Sequence, residues 1–207
     1  MTLSATEVDQ LKHAKTDEDV LPVMRSRWSP RSFSNREVSS ADLRKVFEAA
    51  RWAPSSYNEQ PWRFIVGLRG TETYKKILSS LGEFNQLWAS TAPVLILGAA
   101  QKHFSHNNTP NGFNIFDLGA ASGFLTLQAA ELGLHTHQMA GYDKDAARKA
   151  LQIPEDFDLG SVMALGYQGE PAALPNEQMR SQETAPRTRK PLNEIVRSTW
   201  TTPAKLE

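Results

Sequence analysis

The chain alternates helix-period and strand-period stretches through most of its length. Leu43, Val46, Phe47 and Ala50 recur at helical spacing, with Ser39 or Ser40 as N-cap and Asp42 in the first turn. Pro54 stops this helix, because proline disfavours helical geometry in the residue before it. Trp62 to Leu68 predicts an apolar strand, Gly70 a turn, and Thr71 the cap of a helix reaching Leu81. Residues 83–90 fit another short helix. Pro93 to Ala100 (PVLILGAA) is a nearly continuous apolar run, as in a strand buried on both faces. Asn114 opens a long helix to Leu132, stopped by Gly133. Leu134 to Ala140 predicts a strand, Asp143 caps a helix to about Gln152, and Ser161 to Tyr167 predicts the last core strand.

The ends read differently. Residues 1–20 are polar and partly helical, an N-terminal extension. Asp19 to Arg27 fits a short helix with Leu21, Val23 and Met24 on its apolar face. From Pro171 to Pro191 the chain is rich in Pro, Gln and Glu, so 170–207 reads as an extended arm. Alternating helices and strands give an α/β or α+β domain, a sheet flanked by helices, spanning 1–207. In the 114–132 helix, Leu118, Gly119, Ala120, Ala121, Gly123, Phe124, Leu125, Leu127, Ala129 and Ala130 surround the axis. A helix apolar all round is buried on all sides. Either a second subunit covers it or it is the central helix of a monomeric core.

Composition narrows the functions. The chain of 207 residues can bury a sizeable core, and 40% hydrophobic with 22% charged residues describes a folded soluble protein. Zero net charge argues against general polyanion binding, hence no nucleic acid partner. No apolar run reaches membrane-spanning length, and the polar start shows no signal peptide, so a cytoplasmic location is expected. With no cysteine, disulfides, thiolate catalysis and cysteine metal sites are excluded. Dinucleotide fingerprints, phosphate loops and nucleophile elbows are absent. His135 and His137 share a strand face but lack a third ligand, and read as polar strand-edge residues. His103 and His106 fall in the polar 101–112 loop. The chemistry of an enzyme so equipped belongs to a cofactor.

Three stretches offer binding groups. Arg25, Arg27 and Arg31 with Ser26 and Ser29 can grip a phosphate through guanidinium forks, or form a solvated basic segment. Arg187 and Arg189 alternate, so they point the same way in an extended chain. Ser55, Ser56, Asn58 and Gln60 put hydroxyls and amides on the loop between Pro54 and Pro61, suiting a planar heterocycle with C=O and N–H edges. An ordinary helix–loop–strand turn is the competing reading of that loop.

Taken together and in this order, these stretches resemble the nitroreductase family over roughly residues 20–197. The most specific match is Ala53-Pro54-Ser55-Ser56-Tyr57-Asn58-Glu59-Gln60-Pro61-Trp62; Arg27 to Phe33, Asp117 to Gly141, and Arg187 with Arg189 follow the family's other motifs. The resemblance implies a nitroreductase-like fold: a central mixed sheet flanked by helices, in a domain-exchanged homodimer with a long buried interface helix. It implies FMN as cofactor, NADH or NADPH as donor, and an electron-poor small-molecule acceptor such as a nitroaromatic or quinone. The order is ping-pong through flavin N5, with no catalytic side chain. The implied flavin-binding residues are Arg27, Ser29, Arg31, Arg187 and Arg189 at the phosphate and ribityl chain, Pro54, Ser55, Ser56, Tyr57 and Asn58 from the partner subunit, and Met139, Ala140 and Gly141 against the ring. Trp28 and Gln60 complete the implied cofactor-binding set. Two departures stand out. Trp28 replaces a basic residue, and Gln138-Met139-Ala140-Gly141 stands where the family often has Pro-Ile-Glu-Gly. The family also supports reductive dehalogenation and flavin cleavage, and a flavin-binding module without turnover is a further alternative.

Overall fold

A computed structural model describes residues 3–206; Met1, Thr2 and Glu207, at the tips of the expected extension and arm, lie outside the described residues. In chain order the elements are α1 (Ala5–Lys12), α2 (Pro22–Ser26), α3 (Ser40–Arg51), β1 (Trp62–Leu68), α4 (Glu72–Ser80), α5 (Glu83–Ala89), β2 (Val94–Gln101), α6 (Asn114–Glu131), β3 (His135–Met139), α7 (Lys144–Leu151), β4 (Phe157–Gly166), α8 (Glu177–Thr184), α9 (Leu192–Ile195), β5 (Arg197–Thr199) and β6 (Thr202–Pro203). The main sheet has the order β1-β2-β4-β3.

Period-2 alternation decides what covers each face of this sheet. Leu95, Leu97 and Ala99 of β2 join Val162 and Ala164 of β4 on one face, under Tyr74 and Ile77 of α4, Trp88 of α5, Ala147 of α7 and Met179 of α8. Val94, Ile96, Met163 and Leu165 face the other way, under Val46 and Ala50 of α3 and Leu118, Ala121, Leu125 and Ala129 of α6. Each fully buried Leu, Ile or Val contributes about 1.5–3 kcal/mol. A central strand apolar on both faces therefore demands helices on both.

Several expectations need correction. All three ladders are antiparallel, so the expected mixed sheet has no parallel pair among the described residues. Successive strands are joined by crossovers or long connections, which hid this from a reading of spacing alone. β4 starts at Phe157 rather than Ser161, because its first half carries Asp158 and Gly160 and lacks an apolar run. α2 is shorter than expected, with Pro22 setting its first turn. α6 opens at Asn114 as the spacing predicts, with its amide donating to Asp158 Oδ2 at 2.9 Å, but it ends at Glu131, one residue short of Leu132. The 171–191 stretch is no extended arm: Asn176 caps α8 through the Met179 N–H at 2.9 Å, and Met179 and Glu183, one helical turn apart, are buried. α6 is buried on one side only within a single chain, and Phe113 beside it and Phe116 on it are 60% and 75% exposed.

Gly67 of β1 lies against α4 so closely that a Cβ there would sit 2.5 Å from Tyr74 Cα and 2.6 Å from its N. Backbone cannot yield as a side-chain end can. Gly67→Ala is therefore expected to destabilise the fold by about 1–3 kcal/mol, measured by urea unfolding.

Candidate functional site

The loop between α3 and β1 holds an uncommon conformation. Tyr57, Asn58 and Gln60 have φ of 52°, 56° and 51°, left-handed values that cost non-glycine residues about 1 kcal/mol or more each. Local bonds hold the shape. The Gln60 N–H donates to Ser55 Oγ at 3.0 Å, and its side-chain amide to the Asn58 carbonyl at 2.9 Å. The Ser56 N–H donates to Asp117 Oδ2 at 3.1 Å, a buried carboxylate in the first turn of α6. Glu59 accepts from the Ser105 N–H at 2.9 Å, which ties the 101–112 segment to the loop. With these groups engaged, the Tyr57 ring is left 84% exposed. Pro54, Ser55 and Ser56 line a cleft with Phe113, Phe116 and Asp117.

A second group forms beside β3, the opposite edge strand. Trp28 meets the His135 ring edge-on at 5.8 Å, and the Pro30 carbonyl accepts from His137 Nδ1 at 2.9 Å, so the arginine segment runs alongside β3. Arg27 donates to Ser29 Oγ at 3.3 Å. Arg187 donates to the carbonyls of Lys12 and Arg25 at 2.8 and 3.1 Å. Burial, then Arg189, pushes the Arg27 guanidinium below its usual range; burial, then Arg27 and Arg189, does the same to Arg187. Three guanidinium groups thus repel one another, and none has a carboxylate within ion-pair distance among the described residues. Arg31 Nε is buried without a partner. Such an arrangement is stabilised by a multivalent anion.

Arg31 also connects to the segment after β3. Its guanidinium lies 5.8 Å from the Phe84 ring centre, and neighbouring Asn85 donates to the Gly141 carbonyl at 3.1 Å. Ala140 and Gly141 are exposed at this point. The Gly141 carbonyl is taken by Gly82 and Asn85, whereas its N–H donates to none of the described residues.

The fold thus places Arg27, Ser29, Arg31, Arg187 and Arg189 along the flank of β3, with Ala140 and Gly141 following the strand's end. Trp28 and Met139 lie next to them in sequence, but their side chains turn into the interior, only 4% and 3% exposed. Pro54, Ser55, Ser56, Tyr57, Asn58 and Gln60 form the separate group beside β1. Three inter-strand steps of about 4.8 Å separate the two edges, roughly 14 Å of sheet. The basic segment is not merely solvated, because α1 and α8 pack over it.

The Nitroreductase family model matches residues 24–86 and 68–167. This chain belongs to the Nitroreductase family. A protein of Archaeoglobus fulgidus named "Putative NADH dehydrogenase/NAD(P)H nitroreductase" is 34% identical over 154 residues, covering 72% of this chain and 86% of its own. An NADH dehydrogenase of Thermus thermophilus is 27% identical over 190 residues, covering 74% of this chain and 91% of its own. A crystal structure described as an oxidoreductase containing FMN superposes with a TM-score of 0.87 at 33% identity, over 93% of this chain and 98% of that one. As a member of this family, the chain is an oxidoreductase on a nitroreductase fold.

The nitroreductase motifs assigned no role to three buried polar residues. Asp117, which holds Ser56, carries a weak signal as the one acid in the first turn of a largely apolar helix. Lys12 and Glu183 carry none, because their partners are at the other end of the chain.

His137 makes the site's stability depend on pH. Burial pushes its pKa from 6.5 down to about 4, with the Arg31 charge adding to the fall and the Pro30 and Ser29 backbone opposing it. The folded state therefore holds a neutral ring where the unfolded chain binds a proton. Stability is present above 6.5 and is lost as pH falls towards about 4. The expected slope reaches about 1.4 kcal/mol per pH unit in urea titrations, and His137→Gln should flatten it.

Proposed function

We propose that this chain is an FMN-dependent oxidoreductase that uses NADH or NADPH to reduce electron-poor acceptors such as nitroaromatics or quinones. It works in ping-pong order, as a homodimer in the cytoplasm. The observation that carries the reading is the cluster of Arg27, Arg187 and Arg189, free of carboxylates among the described residues, near the start of β3, with the exposed Ala140–Gly141 backbone following the strand's other end. A phosphate monoester fits the cluster in charge and in donor geometry. Arg27, Ser29, Arg31, Arg187 and Arg189 would hold that phosphate and the ribityl chain, and the Gly141 N–H would donate to the ring system. When bound, FMN accepts a hydride from NAD(P)H and passes the electrons to the acceptor. A main-chain donor fixed by the Gly82 and Asn85 bonds favours an electron-rich partner without reorganising.

The second half of the site comes from another copy. Ser56 and Asn58 lie at the far edge of the sheet, beside the exposed apolar face of α6. On that face Phe113 and Phe116 stand exposed, and a Cβ at Gly119 or Gly123 would meet nothing within 4 Å. A second α6 covering this face would bring the partner's 54–58 loop to the arginine cluster and shield the site from water. Trp28 leaves the list of flavin contacts in this reading, and Met139 contributes backbone alone.

Two measurements test the reading. Freshly purified protein is expected to be yellow and to bleach when NADH or NADPH is added without oxygen. A colourless protein that takes up no FMN overturns the proposal. Gly119→Leu and Gly123→Leu are expected to shift dimer to monomer in sedimentation while keeping the circular dichroism of the native chain; an unchanged sedimentation coefficient counts against the α6 interface.

A further inference from the structure

We propose that Lys12 and Glu183 are positioning residues that together lock the arginine cluster into the geometry of a phosphate monoester, an inference that rests on the FMN reading above. Glu183 of α8 is only 2% exposed. Its carboxylate accepts from the Arg31 N–H at 3.0 Å, through either oxygen, and from the Ser32 N–H at 3.0 Å. Two backbone donors on one carboxylate fix the course of the chain at Arg31. Lys12 of α1 is 6% exposed, and its ammonium donates to the carbonyls of Gln182 and Ala185 at 3.3 and 2.6 Å, on either side of Glu183. The Lys12 carbonyl in turn accepts from Arg187, which also donates to Arg25. Lys12 thus holds the end of α8 through its side chain and aims Arg187 through its backbone.

Trp28 completes the arrangement. Its indole N–H donates to Asp9 Oδ1 at 3.0 Å, and the Lys12 ammonium lies 5.0 Å from its ring centre. Where the family has a basic residue, this chain has an aromatic seat for α1. Neither Lys12 nor Glu183 falls within the matched family residues, 24–86 and 68–167. A buried carboxylate and a buried ammonium are retained here in spite of their desolvation cost, and each is satisfied by backbone groups of the segments that carry the free arginines. The lock opposes the mutual repulsion of Arg27, Arg187 and Arg189 while the anion is absent, so the cluster stays assembled for it.

The test separates a phosphate-specific role from general support of the fold. The full chain, stripped of flavin, is titrated with FMN and with riboflavin, which lacks the phosphate, and flavin fluorescence is followed. Lys12→Met keeps the apolar stem over Trp28 and removes the donors; Glu183→Gln keeps one acceptor oxygen. Each is expected to weaken FMN about tenfold or more while riboflavin affinity changes by less than about threefold. Lys12→Arg, which keeps donors, is expected to stay near the wild-type preference. Retained riboflavin binding shows that the variants fold. Equal loss of both ligands, or loss of neither, overturns the lock. A wild-type chain that binds FMN no better than riboflavin overturns the FMN reading and the lock with it.

Discussion

The burial of β2 on both faces organises this molecule. Val94 through Leu97 are almost fully inaccessible, with alternate residues committed to opposite sides. Both sides must therefore be roofed by helices, and the flanks of the sheet are what remain for polar work. The amide-rich loop beside β1 and the arginine segment beside β3 occupy those two flanks. Antiparallel pairing throughout then sets them apart across the full width of the sheet.

At the β3 flank the dominant forces are electrostatic. Desolvation and like-charge repulsion act on Arg27 and Arg187 together, and among the described residues no carboxylate lies within ion-pair distance of either. The nearest buried acid, Glu183, spends its oxygens on the backbone of Arg31 and Ser32 instead of on a guanidinium. Burial raises its carboxyl, while those N–H bonds and the Lys12 and Arg31 charges pull it back. The guanidinium groups stay available for an external anion as a result. The β1 flank is prepared by a different device: backbone strain at Tyr57, Asn58 and Gln60, held by Ser55 and Asp117.

Much of this was legible in the residues. The limits of β1, the Thr71 and Asp143 caps, and the buried run of β2 follow from periodicity and capping chemistry, which are local. The Ala53–Trp62 stretch and the two arginine clusters stood out as candidate binding groups because they gather polar donors between the periodic elements. What was misread shares one cause. Trp28 and the 171–191 stretch have ordinary local signals for a site contact and an arm. Distant partners overrode both: Asp9 and Lys12 for Trp28, and the core cluster around Met179 for α8.

By itself the sequence determined the order of helices and strands, the absence of thiol chemistry, the family and the candidate arginine clusters, since each depends on neighbours within a few positions. Tertiary structure alone decided that the two halves of the site stand on opposite edges, that Trp28 and Met139 turn inward, and that Lys12 and Glu183 bind the chain ends together. Those outcomes rest on which buried polar groups find partners. A hydrogen bond between residues far apart in the chain leaves no periodic trace along it.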